Sequence, residues 1–416
     1  MTATDVMPPR LTVRTVELSD PGDLLALLPP AEAYAWVRNG EGLVAWGEVV
    51  RHKATSMADA ETWWGDLVQH LEVDAQLAPM PWGAGFVALG SFVFDSDNSA
   101  NQSQLVVPRV VVGRRHGRTW LTTIGPVDED NLPRAHPAPE APRGLSVAPG
   151  ALDTAHWADA VAAAVRRIAG GGVDKVVLAR DVVVTAANDI DPRWLAARLA
   201  TDYTRCWTYL IDGLVGASPE MLVRLESGLA TSRVLAGTIR TSPDRDQAMD
   251  LAAALAASSK DLEEHEYAVR SVAAALAPFC SGMNVPDAPY VLALPNVLHL
   301  ATDVTAVAHP GATSLGLAAA LHPSAAVCGT PTAAARELIA ELELLDRAKY
   351  SGPVGWIDAQ GDGEWAIALR CGQLDDQDPR QIRLYAGCGI VAGSDPAAEV
   401  AESNAKLLPM LQALGC

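Results

Sequence analysis

Basic residues are scarce in this 416-residue chain: 31 lysines and arginines against 50 acids give a formal net charge of -19 at pH 7. So negative a surface repels nucleic-acid phosphates and anionic membranes, and neither is expected as a partner. No apolar run approaches the ~18 residues that a membrane span needs. The N-terminal MTATDVMPPRLTV has neither the basic nor the apolar region of a signal peptide, so a cytoplasmic protein is expected. The six cysteines (206, 280, 328, 371, 388, 416) stand singly, without C-x-x-C spacing, which argues for free thiols and against structural zinc. Nucleotide binding is disfavoured as well. AGCGI falls short of G-x-G-x-x-G, and no G-x-x-x-x-G-K-[ST] loop occurs.

What the chain does have is apolar mass, at 49%, enough to bury a large core. Residues 1–125 mix short strand-like runs with one or two helices. WGAGFVALGSFVFD looks like two strands split at Gly90, and a hairpin turns near His116–Gly117. Between 126 and 150 recurring prolines predict a surface connection. From 151 onward a helix ending at Gly170–Gly172 precedes the strand KVVLARDVVVTA. Asp212–Gly213 and Glu226–Ser227–Gly228 predict tight turns. Ser242–Pro243 is expected to open a helix to about Ala257, and a second helix runs from about Lys260 to Ala277. Three antiparallel strands follow, and Asp395–Pro396 opens a C-terminal helix. The whole reads as α+β: large antiparallel sheets in a sandwich-like core with helices outside.

Two acidic clusters stand out, Asp261–Glu264–His265 and Glu399–Glu402–Lys406. Acids at i, i+3 share one helix face. Four converging carboxylates repel one another unless a cation sits between them, and hard oxygen ligands favour Mg2+ or Ca2+ over zinc. Two solvated helix faces would give the same pattern. Arg370, in EWAIALRC, is expected on a strand face shared with Ala366 and Ala368, suited to clamping a carboxylate or simply to an exposed edge. Tyr350 could add a hydroxyl there. Lys175 opens a strand, where a solvated charge is commonest. Glu220, between Pro219 and Met221, could hold a raised pKa and give up a proton. His299, between leucines, reads first as a core histidine. These residues alone leave open a metal-dependent hydrolase or a non-catalytic anion-binding protein.

Taken in order, DKVVLAR, GASPEML, LAGTIR, SSKDLEEHE, LPNVLHLAT, LHPSAAVCGTP, ELELLDRAKYSGPVGW, GEWAIALRC, RLYAGCGIV and EVAESNAK resemble the chorismate-utilising enzymes, most closely the isochorismate synthases. The resemblance is dense over residues 155–413 and looser before them, where GFVALGSFVFD carries it. It implies the anthranilate synthase component I fold, with an N-terminal portion (1–125), a connection (126–150) and a chorismate-binding catalytic portion (151–416). It implies that Lys175 activates water for attack at C2 of chorismate and that Glu220 protonates the departing C4 hydroxyl. Glu264 and Glu402 match direct Mg2+ ligands, and Asp261 and Glu399 their outer partners. Arg370 and Tyr350 match the clamp on the enolpyruvyl carboxylate, assisted by backbone at Gly387–Gly389. His299 and Thr238 match residues lining the ring, and Lys406 a lysine near the metal.

Aminodeoxychorismate synthases, which the chain also resembles, carry a nucleophilic lysine where this chain has Ala236. Anthranilate synthases lack a lysine at the position of Lys175. Both differences imply water as nucleophile and no glutamine amidotransferase subunit. An isomerase is implied, its product feeding menaquinone, siderophore or salicylate biosynthesis, with a salicylate synthase that also eliminates pyruvate as the runner-up. A monomer is the default. Cys388 departs from the resemblance, since relatives often have alanine there, and is expected only to pack.

Overall fold

The computed structural model describes residues 11–416 except Gln76, Pro243 and Asn296, and leaves out the side chains of Ala75, Asp130, Lys260 and Glu264. The strands form one network of antiparallel pairings, save the parallel pair Leu11–Glu17 and Leu71–Ala75. The N-terminal third is woven into it: Val87–Ser91 pairs with Pro353–Asp358, and Ala33–Arg38 with Trp207–Ile211. Trp36, Leu89, Val111, Tyr209 and Trp356, far apart in sequence, meet in one buried cluster, and the helices pack outside the strands. This is the expected α+β sandwich.

Side-chain alternation explains how the sheet can serve both a core and a site. Lys175–Thr185 pairs with Gln381–Ile390, placing Gly387 opposite Ala179 and Gly389 opposite Val177. Even-numbered residues of both strands (Val182, Val184, Ile382, Leu384) pack against Leu407, Met410 and Leu414 of the C-terminal helix Pro396–Leu414. The opposite face carries Lys175, Val177, Gly387 and Gly389 into a cavity. A one-residue slip would exchange the faces, so burial of the even set fixes the register.

The turns follow their chemistry. Asp212–Gly213, Ser227–Gly228 and His116–Gly117 all have positive φ at both residues, the form that closes two-residue hairpins. Three local expectations change. Gly90 does not split a strand: Val87–Ser91 is continuous, and a Cβ at Gly90 would lie 2.6 Å from Leu105 Cδ2, so the glycine admits close packing. The helix Arg245–Ala257 is capped by Asp244, which accepts from the Gln247 amide, and not by Ser242; Pro243 lies outside the described residues. The Pro-rich connection ends in a short exposed strand, Ser146–Pro149, on the edge of Lys175–Thr185.

A buried ion pair braces the strand that carries Lys175. Arg347 donates from Nε to Glu343 (2.8 Å), from Nη1 to the Val327 carbonyl (2.8 Å) and from Nη2 to the Val177 carbonyl (2.7 Å). Glu343 in turn accepts the Ala179 amide at 2.7 Å. Both side chains are buried, so removing one partner strands the other's charge. Arg347→Leu should therefore lose about 3–5 kcal/mol in urea unfolding; a loss under about 1 kcal/mol would contradict this role.

Candidate active site

The odd face of those two strands floors a cavity of about 220 Å³. Every residue expected at the site lines it except Glu264, whose side chain lies outside the described residues. Segments more than two hundred residues apart in sequence thus converge.

On one side stands Glu220, where Pro219 interrupts the passage from strand Leu214–Ser218 to strand Met221–Glu226. Ser218 Oγ, which donates to the Ile367 carbonyl at 2.6 Å, receives the Glu220 amide at 3.3 Å and fixes this corner. Burial pushes the Glu220 carboxyl up to about 7, although the nearby charges of Lys175 and Arg370 pull it down. It can therefore hold a proton near neutral pH. Lys175 lines the same cavity from the start of its strand. Its backbone is registered with Thr330, so the position is fixed by pairing.

Arg370 corrects the strand expectation. The strand Gly363–Ile367 ends before it, and Arg370 adopts φ 50 between that strand and Cys371–Leu374. The alternation argument therefore does not apply: a left-handed bend aims the guanidinium into the cavity, where no carboxylate among the described residues forms an ion pair with it. Non-glycine residues held there tend to mark functional sites. Beside it Tyr350 stacks on Tyr385 at 5.1 Å, and burial pushes its phenol up to about 12, so it remains a hydroxyl donor. A Cβ at Gly387 would lie 3.1 Å from that hydroxyl, which is why glycine is needed there.

The third wall is the paired strands Leu229–Arg240 and Val297–Ala308. Their register breaks between Ala236 and Thr238, where Gly237 has φ 78. The bulge brings the chain against Asp261, whose Cβ would lie 3.2 Å from a Cβ at Gly237. Thr238 Oγ1 and His299 Nδ1 lie 2.9 Å apart. Burial, with Arg370 and Lys406 nearby, lowers His299 to about 3, so it is a neutral ring and not a third cation. His265, grouped with the first acidic cluster by sequence, is structural: its ring nitrogens reach the Ala236 carbonyl (3.2 Å) and Thr302 Oγ1 (2.7 Å).

Glu399 and Glu402 project from the C-terminal helix, whose N-cap is Asp395 with Pro396 following, as expected. Their carboxylates and the Cys388 thiol lie within 4.8 Å of one another. Burial raises Glu399, and Glu402 adds to the rise; at Glu402 burial is outweighed by the Lys406 ammonium together with Arg370 and the Cys388 thiol, and its carboxyl is lowered. Lys406 pairs with Glu402 at 2.6 Å and donates to the Gly387 carbonyl at 2.9 Å, tying helix to strand. Two adjacent carboxylates, with Asp261 on the same cavity, suit a hard divalent cation. Sequence reasoning missed Ser394, which hydrogen-bonds Glu399, and the placement of Cys388, whose Sγ donates to the Glu399 carbonyl at 3.4 Å. The helix-start pattern GSDPAAE held a signal for Ser394; nothing local marked Cys388.

A carboxylate pair, an available guanidinium and a buried protonatable acid around one small cavity define a site for a small, multiply charged anion. The sequence profile of the chorismate binding enzymes matches residues 34–415, and the chain belongs to that family. It is similar to isochorismate synthase DhbC of Bacillus subtilis (strain 168), 41% identical over 60% of this chain and 65% of that protein. It is also similar to a Mycobacterium tuberculosis (strain H37Rv) protein named for isochorismate synthase MenF, 36% identical over 84% of this chain and 92% of that one. The solved structure of MenF, the menaquinone-specific isochorismate synthase from Escherichia coli, superposes with a TM-score of 0.81 at 26% identity, covering 99% of this chain and 96% of its own. Among the described residues no helix is long and apolar enough to cross a membrane.

Proposed function

We propose that the protein is a Mg2+-dependent isochorismate synthase, in which water attacks C2 of chorismate as the C4 hydroxyl departs. The observation that carries this reading is the pairing of Lys175 with a buried Glu220 across one cavity, where position 236 offers only an alanine methyl. With no amine at that position, water is left as the nucleophile. Lys175 takes its proton and Glu220 gives one to the leaving oxygen, so water enters, water leaves and the product is an isomer. Arg370 and the Tyr350 hydroxyl would hold the enolpyruvyl carboxylate, with Gly387 and Gly389 leaving room for it. Thr238 and the neutral His299 would line the ring.

Glu402, Glu399, Asp261 and Glu264 would hold Mg2+, and Lys406 would limit the negative charge they present. When bound, the ion would neutralise the ring carboxylate and fix its orientation. Chromatography after incubation with chorismate and Mg2+ should show isochorismate, and excess EDTA should remove the activity. Salicylate formed without an added lyase would favour pyruvate elimination instead, and turnover unaffected by EDTA would overturn the metal's role. The product's destination, menaquinone, siderophore or another salicylate-derived compound, belongs to the enzymes that receive it.

A further inference from the structure

Arg370 holds a left-handed conformation, φ 50, without the glycine that would adopt it at no steric cost. A residue so placed persists only where its surroundings over-determine it. Backbone hydrogen bonds supply part of the restraint. The Ser351 amide donates to the Ala368 carbonyl at 2.9 Å, and the Ala217 amide to the Arg370 carbonyl at 3.2 Å. Between these two, the Leu369 carbonyl accepts from a side chain, the Tyr209 hydroxyl, at 3.1 Å.

Strand register explains how a core tyrosine reaches this bend. Tyr209 is paired with Gly216 across one strand boundary, and Gly216 with Cys371 across the next. The middle strand has no side chain at that point, so the phenol passes over it. A Cβ at Gly216 would lie 2.5 Å from the Tyr209 hydroxyl oxygen and 2.6 Å from the Cys371 Cβ. The ring is 0% exposed and stacks on Trp36 at 6.4 Å. Burial also holds the phenol well above its ordinary pKa, so it stays a donor. The Cys371 thiol beside it donates to the Ala368 carbonyl at 3.6 Å. Tyr209 itself does not line the cavity.

We propose that Tyr209 is a positioning residue for substrate binding, acting through the Leu369 carbonyl to keep the Arg370 guanidinium aimed into the cavity. This rests on the reading of Arg370 as the carboxylate clamp. Without the hydroxyl, the Leu369 carbonyl loses its partner inside the core, and the bend relaxes toward ordinary backbone angles and takes the guanidinium with it. The clamped carboxylate takes no part in bond making or breaking. Misplacing the clamp therefore weakens substrate and transition state alike, which raises KM and spares kcat.

Tyr209→Phe keeps the ring and removes only the hydroxyl. Its KM for chorismate should rise about tenfold, with kcat within about threefold of wild type. A double-mutant cycle with Arg370→Gln, read as kcat/KM because that needs no saturation, identifies the route. With the guanidinium gone, Tyr209→Phe should cost less than about twofold further. A tenfold cost in both backgrounds would show that the hydroxyl acts independently of Arg370 and would overturn the proposal, as would an unchanged KM in the single variant. Near-wild-type kcat/KM in Arg370→Gln would instead sink the clamp reading. The bend can be tested without turnover, by a crystal structure of Tyr209→Phe. Arg370 displaced from its left-handed conformation, or spread over several conformers, is expected there; an unchanged bend would overturn the proposal.

Discussion

Glu220→Gln is expected to lower turnover by ~10^2–10^4-fold, the usual cost of losing one general acid, while making the folded protein more stable at pH 8. The two effects share a cause. The side chain is 7% exposed, and burial raises its carboxyl to about 7 from an ordinary 4.5. The folded chain therefore holds that proton more tightly than the unfolded chain does. Stability is unaffected below about 4.5, falls as pH rises from there through 7, and is lowered by about 3 kcal/mol once the group is ionised. Glutamine cannot ionise, so unfolding of the variant at pH 8 should need more urea than that of wild type, and the difference should vanish near pH 4. Catalysis follows the same proton. For the wild type kcat/KM should fall as pH rises through about 7, and the variant's residual rate should lack that limb. Near-wild-type turnover, or a variant no more stable at pH 8, would refute this assignment.

Lys175→Ala carries the second large effect, again a ~10^2–10^4-fold loss in turnover. The side chain lines the cavity from the start of its strand, whose other face there, Val176 and Leu178, is buried in the core. Lys175→Arg sharpens the test. Arginine keeps the positive charge but does not release its proton, so a base is lost while an electrostatic role survives. Both variants should be similarly inactive, with Mg2+ affinity unchanged by calorimetry. Recovery of activity in Lys175→Arg would mean that the charge, and not proton transfer, is what the position supplies.

Much of the site could be read along the chain because it rests on local rules. The strand that Lys175 opens was legible, and Asp395–Pro396 marked the helix that bears Glu399 and Glu402. The meeting of these segments is another matter. Periodicity is silent on which strands pair, and the order of motifs, recognised by resemblance, supplied that step. The failures are equally physical. Arg370 sits in a left-handed bend that no glycine or asparagine announces, so alternation misplaced its context although not its destination. His265 follows Asp261 by four residues and so shares its helix face, yet its ring nitrogens are taken up by the Ala236 carbonyl and the Thr302 hydroxyl, partners on separate strands that no helical spacing announces. Cys388 lies one residue from both glycines, and its partner, the Glu399 carbonyl, comes from a separate helix.

Isotope labelling tests the central claim most directly. Chorismate converted in H2(18)O, with product analysed early enough to limit the reverse reaction, should give isochorismate carrying one heavy oxygen at its C2 hydroxyl. Lys175→Ala and Glu220→Gln should slow appearance of the label and of the product together. Isochorismate without solvent oxygen would mean that the C4 hydroxyl is passed across the ring, and would contradict a base and an acid working on separate waters.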